Sequence, residues 1–241
     1  MNYALVFAGG VGSRMNAKAR PKQFLEIHGK PIIIHTIECF EEHRDIDAIC
    51  VVIVSEFLEY MEKLVVKYNI KKVRWIIEGG KSALESQYLG LECIRKSSDY
   101  SEDDIVLIHD GVRPLINKSL ITECISGVRQ YGSAITVVPA IETIIQTDNK
   151  NMIVQTFPRN ECQLARAPQA FKIGEILKAH DRAKADGVYD FVDSASMMLH
   201  YGYKLYTIEG PMENIKVTNP ADFYICRALL DARENSQIYG V

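Results

Sequence analysis

The stretch Leu5-Val6-Phe7-Ala8-Gly9-Gly10-Val11-Gly12-Ser13-Arg14-Met15 passes from apolar residues directly into glycines and then a cation. With so few side chains in the way, the backbone N–H groups around Ala8, Gly9, Gly10 and Gly12 can approach an anion closely, and successive amides can form a nest for phosphate. Arg14, and then Lys22 in Arg20-Pro21-Lys22-Gln23-Phe24-Leu25, would place positive charge within reach of a bound triphosphate. The dinucleotide fingerprint fits poorly, because Met15 stands where its third glycine belongs. The P-loop pattern fails as well, since Gly29-Lys30 and Gly80-Lys81 lack the upstream glycine. Taken without the cations, the same glycines read as a tight turn.

Charge placement sharpens this reading. The 241 residues carry 28 Lys plus Arg against 31 Asp plus Glu, and a net charge of −3 argues against a general nucleic-acid binder. Residues 1–30 nevertheless hold Arg14, Lys18, Arg20, Lys22 and Lys30 against Glu26 alone, a local +4, leaving −7 elsewhere to keep nonspecific polyanions away. With 47 % hydrophobic residues the chain can build a core without staples. Its six cysteines are scattered, with no CxxC pair and no zinc-ligand spacing. The opening residues lack a signal-peptide pattern, and nowhere do about 18 apolar residues run uninterrupted. A cytoplasmic protein that neither spans a membrane nor binds nucleic acid is therefore expected.

These groups need a scaffold, and hydrophobic periodicity predicts one. Strands over Tyr3–Phe7, Ile49–Val54, Val73–Ile77, Ile105–Ile108 and Ala134–Pro139 alternate with helices over Pro31–His43, Glu56–Tyr68, Ala83–Arg95 and Lys118–Tyr131. Pro31 should occupy the first position of its helix. Near-continuous apolar strands separated by helices call for a parallel sheet covered on both faces, so the expected class is α/β with right-handed crossovers. Asp110, just after Ile105-Val106-Leu107-Ile108, should emerge at a strand's carboxyl end, where open α/β sheets bind ligands. Past Ala140, Glu142–Gln146 and Met152–Thr156 flank the turn Thr147-Asp148-Asn149-Lys150, which predicts a two-stranded excursion. A bare ribbon is marginal alone, and a second subunit is a natural surface for it. Helices over Ile173–Asp186, Ser194–Tyr201 and Pro220–Glu234 and a late strand over Lys204–Ile208 complete a single domain, 1–241, with a projecting arm at about 141–166.

Six blocks in order then carry a resemblance. Gly9-Gly10-Val11-Gly12-Ser13-Arg14-Met15, Pro21-Lys22-Gln23-Phe24-Leu25 and Gly29-Lys30-Pro31-Ile32-Ile33-Ile34-His35-Thr36-Ile37 open the series. His109-Asp110-Gly111-Val112-Arg113-Pro114, Ala167-Pro168-Gln169-Ala170-Phe171 and Glu213-Asn214-Ile215-Lys216-Val217-Thr218 follow. Together they resemble the CTP-dependent sugar-alcohol-phosphate cytidylyltransferases. The resemblance implies a Rossmann-like nucleotidyltransferase core, mostly parallel and flanked by helices, with a projecting β-arm. It implies transfer of CMP from CTP to a polyol phosphate, an in-line displacement that depends on charge stabilisation more than on covalent help.

Residue roles carried over by motif are expectations of the same kind. Arg14, Lys22 and Lys216 would steady the charge on the α-phosphate and leaving pyrophosphate. Ala8, Gly9, Gly10 and Gly12 would cradle the triphosphate, with Gly80 and Ser86 also touching the nucleotide. Asp110 would hold Mg²⁺ between phosphates. Arg113 and Asp193 would meet the acceptor, and Thr143 and Arg159 would help hold its phosphate across a homodimer joined through the arm. Taken singly, Asp110 reads as a turn residue, Ser86 as a helix-face hydroxyl, Arg159 as a surface arginine and Asp193 as a helix cap.

Departures concentrate on the acceptor. Ala83 in Gly79-Gly80-Lys81-Ser82-Ala83-Leu84-Glu85-Ser86 stands where the methylerythritol branch carries arginine, and Lys81 or Arg166 could replace that charge. Val192 replaces a threonine, Arg166-Ala167-Pro168 replaces Gln-Thr-Pro, and Val112 resembles the ribitol branch. Ribitol or arabinitol 5-phosphate and 2-C-methyl-D-erythritol 4-phosphate therefore stay open as acceptors, and with them a role in surface-polysaccharide or isoprenoid synthesis. A hexose-1-phosphate nucleotidyltransferase and a non-catalytic nucleotide-binding homologue are the rival readings.

Overall fold

The computed structural model describes residues 1–8, 21–188 and 190–239, so Gly9, Gly10, Gly12 and Arg14 lie outside the described residues. The chain begins with β1 (Asn2–Ala8), the short pair β2 (Glu26–Ile27) and β3 (Lys30–Pro31), and α1 (Ile32–Glu41). Next come β4 (Ala48–Ile53), α2 (Leu58–Lys67), β5 (Val73–Glu78), α3 (Ala83–Arg95), β6 (Ile105–Asp110), α4 (Lys118–Tyr131) and β7 (Ser133–Pro139). After β8 (Ile144–Thr147) and β9 (Ile153–Phe157) follow β10 (Gln163–Lys172), α5 (Ile173–Asp186), α6 (Ser194–His200), β11 (Thr207–Glu209) and α7 (Pro220–Tyr239).

The main sheet has the order β11-β7-β10-β6-β1-β4-β5. β1 pairs in parallel with β4 and β6, β4 with β5, and β7 with β11, whereas β10 runs antiparallel to both of its neighbours. Alternation along the strands divides the core. Ala4, Val6, Val51 and Leu107 face α1, α2 and α4, while Leu5, Cys50, Val52 and Ile108 face α3, α5 and α6. Both faces are thus covered, as apolar strands of this kind require. A third cluster around Ile32, Leu115, Val217 and Cys226 seats α7.

Local chemistry explains the helix ends. Ser82 accepts from Glu85 N to open α3, Asn117 accepts from Leu120 N to open α4, and Asp193 forms a capping box with Ser196 at the start of α6. Gly132 and Gly187 close α4 and α5 in the left-handed conformation that glycine adopts without penalty. Pro31 precedes α1 at its cap rather than occupying the first helical position, and a 3₁₀ turn over Ser55–Phe57 takes the start expected of α2.

The sheet is mostly parallel, as expected, with β10 as its antiparallel member; periodicity does not reveal that strand because Pro168 interrupts an otherwise strand-like run. The sheet accommodates the proline at a register shift between Ala165 and Gln169, where a missing N–H breaks no ladder bond. Before the shift, Gln163, Leu164 and Ala165 pair only with β7, and pairing with β6 begins at Gln169↔Ile108. The last residues of β6 are therefore left open on that side, and a crevice forms there. β8 and β9 pair antiparallel as a separate two-stranded sheet, close to the predicted excursion.

Candidate active site

The crevice lies at the carboxyl ends of β1 and β6. Phe7 is the register partner of Asp110, and Gly111 N donates to Phe7 O at 2.9 Å, so the end of β6 lies beside the point where β1 leads into the glycine-rich stretch. From β1 the sheet grows toward β4 and β5 on one side and β6 on the other, the reversal of strand order at which open α/β sheets bind ligands.

Asp110 is buried there between two cations. Lys216 Nζ lies 2.6 Å from Oδ1 and Arg113 Nε donates to Oδ2 at 3.3 Å. Burial alone would raise the Asp110 carboxyl, but Arg113 and Lys216 outweigh it and hold the pKa below its usual value, so the group is a carboxylate. Arg113 is tied in turn to Asn214 O through NH1 at 2.7 Å, and Asn214 Nδ2 donates to Ala167 O at 2.7 Å. Val217 N donates to Val112 O at 2.9 Å. These bonds fasten the loop before α7 onto the turn after β6 and deliver Lys216 to Asp110. His109, fully buried, sits with Nε2 3.0 Å from Arg113 O and edge-on to Phe40. Burial pushes its pKa down to about 4, which keeps it neutral and suits a brace rather than an acid.

A pocket of about 180 Å³ opens onto this cluster, its wall including Asp110, Arg113, Arg166, Gln169, Asp193 and Lys216. Ala83 lines it too, so the two departures at 83 and 166 share one pocket. Asp193 caps α6, the simpler of its two readings, and also accepts from Gln169 Nε2 at 2.7 Å while lining the pocket. A roomier cavity of about 630 Å³ between α3 and α5 is lined by Leu84, Tyr88, His180 and Phe191. It lacks the Asp110–Lys216 cluster, and converging charge rather than volume marks the smaller pocket as the site.

The remaining predicted residues surround it. Ala8 ends β1, and its carbonyl accepts from Gln23 Nε2 at 3.0 Å, which anchors the turn that carries half-exposed Lys22. Phe24 secures the other side of that turn against Phe57 and Tyr60. Ser86 is buried. Its hydroxyl accepts from Gly80 N at 3.1 Å and donates to Ser82 O at 2.9 Å, so it shapes the Gly79–Lys81 turn. A Cβ at Gly80 would come within 2.3 Å of the Glu85 side chain, so the turn needs glycine. Thr143 and Arg159 lie exposed at the base of the arm, outside the pocket lining, with Arg159 NH1 donating to Ile141 O at 3.0 Å. Sequence reasoning assigned no role to Gln169 or Asn214, although both stand inside the quoted blocks; their work is to hold Asp193 and Lys216 in place.

The chain has clear relatives among known proteins. A sequence model of the IspD family, 2-C-methyl-D-erythritol 4-phosphate cytidylyltransferase, matches residues 3–232. The chain is 46 % identical, over the full length of both, to ribitol-5-phosphate cytidylyltransferase of Vibrio parahaemolyticus. It is 34 % identical to 2-C-methyl-D-erythritol 4-phosphate cytidylyltransferase of Clostridium botulinum, across 95 % of this chain and 97 % of that one. The crystal structure of 4-diphosphocytidyl-2C-methyl-D-erythritol synthase from Anaerococcus prevotii shares the fold, with a TM-score of 0.82 at 24 % identity over 95 % of this chain and 96 % of that one. The ordered motifs, the fold and the full-length similarity converge, and the chain belongs to the IspD family of CTP-dependent cytidylyltransferases.

Proposed function

We propose that this pocket transfers CMP from CTP to ribitol 5-phosphate, giving CDP-ribitol and pyrophosphate. Transfer to a polyol phosphate follows from the family. The pentitol acceptor is favoured by 46 % identity to a ribitol enzyme against 34 % to a methylerythritol one, and it points toward surface-polysaccharide rather than isoprenoid synthesis. The observation that carries the reading is the convergence of Lys216, Arg113 and Asp110 where β1 and β6 end.

In the displacement, an oxygen of the acceptor phosphate attacks the α-phosphorus of CTP. One P–O bond forms as the bond to the bridging oxygen breaks, and pyrophosphate departs with the electron pair. Lys216, fixed beside Asp110, would orient the acceptor phosphate and offset the charge that builds up in flight. Lys22, on its anchored turn, would face the triphosphate, with Arg14 and the glycine-rich amides as further donors. Arg113 and Asp193 would contact the polyol phosphate, and Gly80 and Ser86 the nucleotide.

Asp110 suits Mg²⁺ as a buried carboxylate held in its charged form at a ligand-binding edge. Among the described residues no three potential ligands gather to hold a metal, so the phosphates would complete the coordination, as Mg²⁺ commonly accepts. Bound there, the ion would neutralise phosphate charge. The arm exposes Ile145, Met152, Ile153 and Val154, an apolar surface that a second copy would cover, bringing its Thr143 and Arg159 toward the acceptor. No helix among the described residues is long and apolar enough to cross a membrane, and all six cysteines are unpaired. Both facts favour a cytoplasmic enzyme.

Incubation with CTP, Mg²⁺ and separate polyol phosphates tests the reading. Pyrophosphate should appear with ribitol 5-phosphate; its absence there alongside turnover of 2-C-methyl-D-erythritol 4-phosphate would overturn the pentitol assignment.

A further inference from the structure

Arg166 lies on β10 within the register shift between Ala165 and Gln169. Its NH1 donates to Met212 O at 2.8 Å and to Asn214 O at 2.9 Å, and the second carbonyl also accepts from Arg113 NH1 at 2.7 Å. Two guanidinium groups therefore meet on one oxygen at the edge of the pocket. Arg113 has the Asp110 carboxylate beside it at 3.3 Å. Arg166 has no carboxylate in ion-pairing range among the described residues, and its remaining N–H groups have no protein acceptor there. Burial and the neighbouring Arg113 outweigh the opposing pull of the Glu213 carboxylate and disfavour its charge, yet a guanidinium does not give up its proton. A half-buried cation facing a second cation, with Lys216 in the same lining, makes a seat for an anion.

Topology indicates which anion. The glycine-rich stretch continues from β1 and the Gly79–Lys81 turn follows β5, so the nucleotide side of the site lies from β1 toward β5. β10 borders β6 on the opposite side, next to Asp193. We infer that Arg166, together with Arg113, binds the phosphate of the acceptor and thereby sets its attacking oxygen relative to Lys216. The inference rests on the proposed polyol-phosphate reading and adds to it a residue that selects the acceptor. It also places across the pocket, on β10, a charge that Ala83 does not supply from α3.

Steady-state kinetics of R166Q and R166K, with each substrate varied in turn, tests this. In R166Q the KM for ribitol 5-phosphate should rise about ten- to hundredfold while that for CTP stays within about twofold, and R166K, keeping the charge but losing the planar fork, should fall between. A bracing role alone, through the bonds to Met212 and Asn214, would misplace Lys216 and lower kcat with the acceptor KM unchanged. That result, or equal rises in both KM values, would overturn the inference. If the wild type releases no pyrophosphate with any polyol phosphate, the proposed function fails but the anion seat does not. Thermal stabilisation by inorganic phosphate then decides it: wild-type protein should be stabilised and R166Q should not, and equal stabilisation of both would remove the seat.

Discussion

Lys216 Nζ stands 2.6 Å from Asp110 Oδ1, so the loop before α7 and the end of β6, remote in the chain, share one ion pair at the carboxyl edge of the sheet. Lys216→Met keeps much of the apolar stem and deletes the charge. It should lower kcat by about 10²–10³, or ~3–4 kcal/mol, the loss typical of one preorganised charge-stabilising donor. Rapid-quench turnover measurements check this, and near-wild-type kcat in a folded variant would remove Lys216 from the chemistry.

Lys22 makes a parallel case from the other side. Gln23 bonded to Ala8 O and Phe24 packed on Phe57 and Tyr60 anchor its turn. Lys22→Ala should therefore leave the melting temperature close to wild type and still cost about 10²–10³ in turnover. Loss of fold together with activity would show that Lys22 belongs to the scaffold instead.

Metal dependence tests Asp110. Chelation should abolish pyrophosphate release and added Mg²⁺ restore it, with Asp110→Asn requiring much more Mg²⁺ for half-maximal rate because a neutral amide is a weaker ligand. The same Mg²⁺ requirement in D110N and wild type would rule out Asp110 as the ligand.

Stability should fall on acidification, in part through His180. Burial pushes its pKa down from 6.5 to about 4, and its Nε2 has no partner. The unfolded chain takes up this proton below pH 6.5 while the folded protein resists it until about 4. The stability present above 6.5 is thus lost progressively as pH falls through that window, by roughly 3 kcal/mol in all. Urea unfolding at a series of pH values should show a shallower slope for His180→Phe than for wild type, and identical slopes would contradict the assignment. His109, also held near 4 by burial, should account for part of the slope that remains.

The arm gives a prediction about assembly. Ile153 is 63 % exposed and Val154 57 % exposed, on a ribbon too small to be stable unaided. Ile153→Asp should convert a dimer to monomer in sedimentation and raise the acceptor KM, because Thr143 and Arg159 would no longer reach a partner's site. A variant that stays dimeric at all concentrations would mean that the subunits meet elsewhere.

Elements governed by local rules were legible in the residues alone. α3, α4 and α5 begin and end where periodicity places them, because Ser82, Asn117, Gly132 and Gly187 supply the end chemistry within a few residues of the apolar pattern. Asp110 was placed at a strand's carboxyl end for the same reason. β10 escaped notice because Pro168 locally forbids a ladder bond, and only the register shift against β7 makes that harmless.

By itself the sequence determined an α/β class and, through six ordered blocks, the family, and it set the expectation that the glycine stretch and its cations meet phosphate. Those properties are written in spacing along the chain. The tertiary structure alone decided that the bulge in β10 opens the crevice, that Asn214 ties the loop carrying Lys216 to Arg113 and Ala167, and that Arg166 and Arg113 meet on one carbonyl. Such contacts join residues from distant segments. Their distances are set by how a closed core packs and by which buried polar groups find partners there, and no local pattern records that outcome.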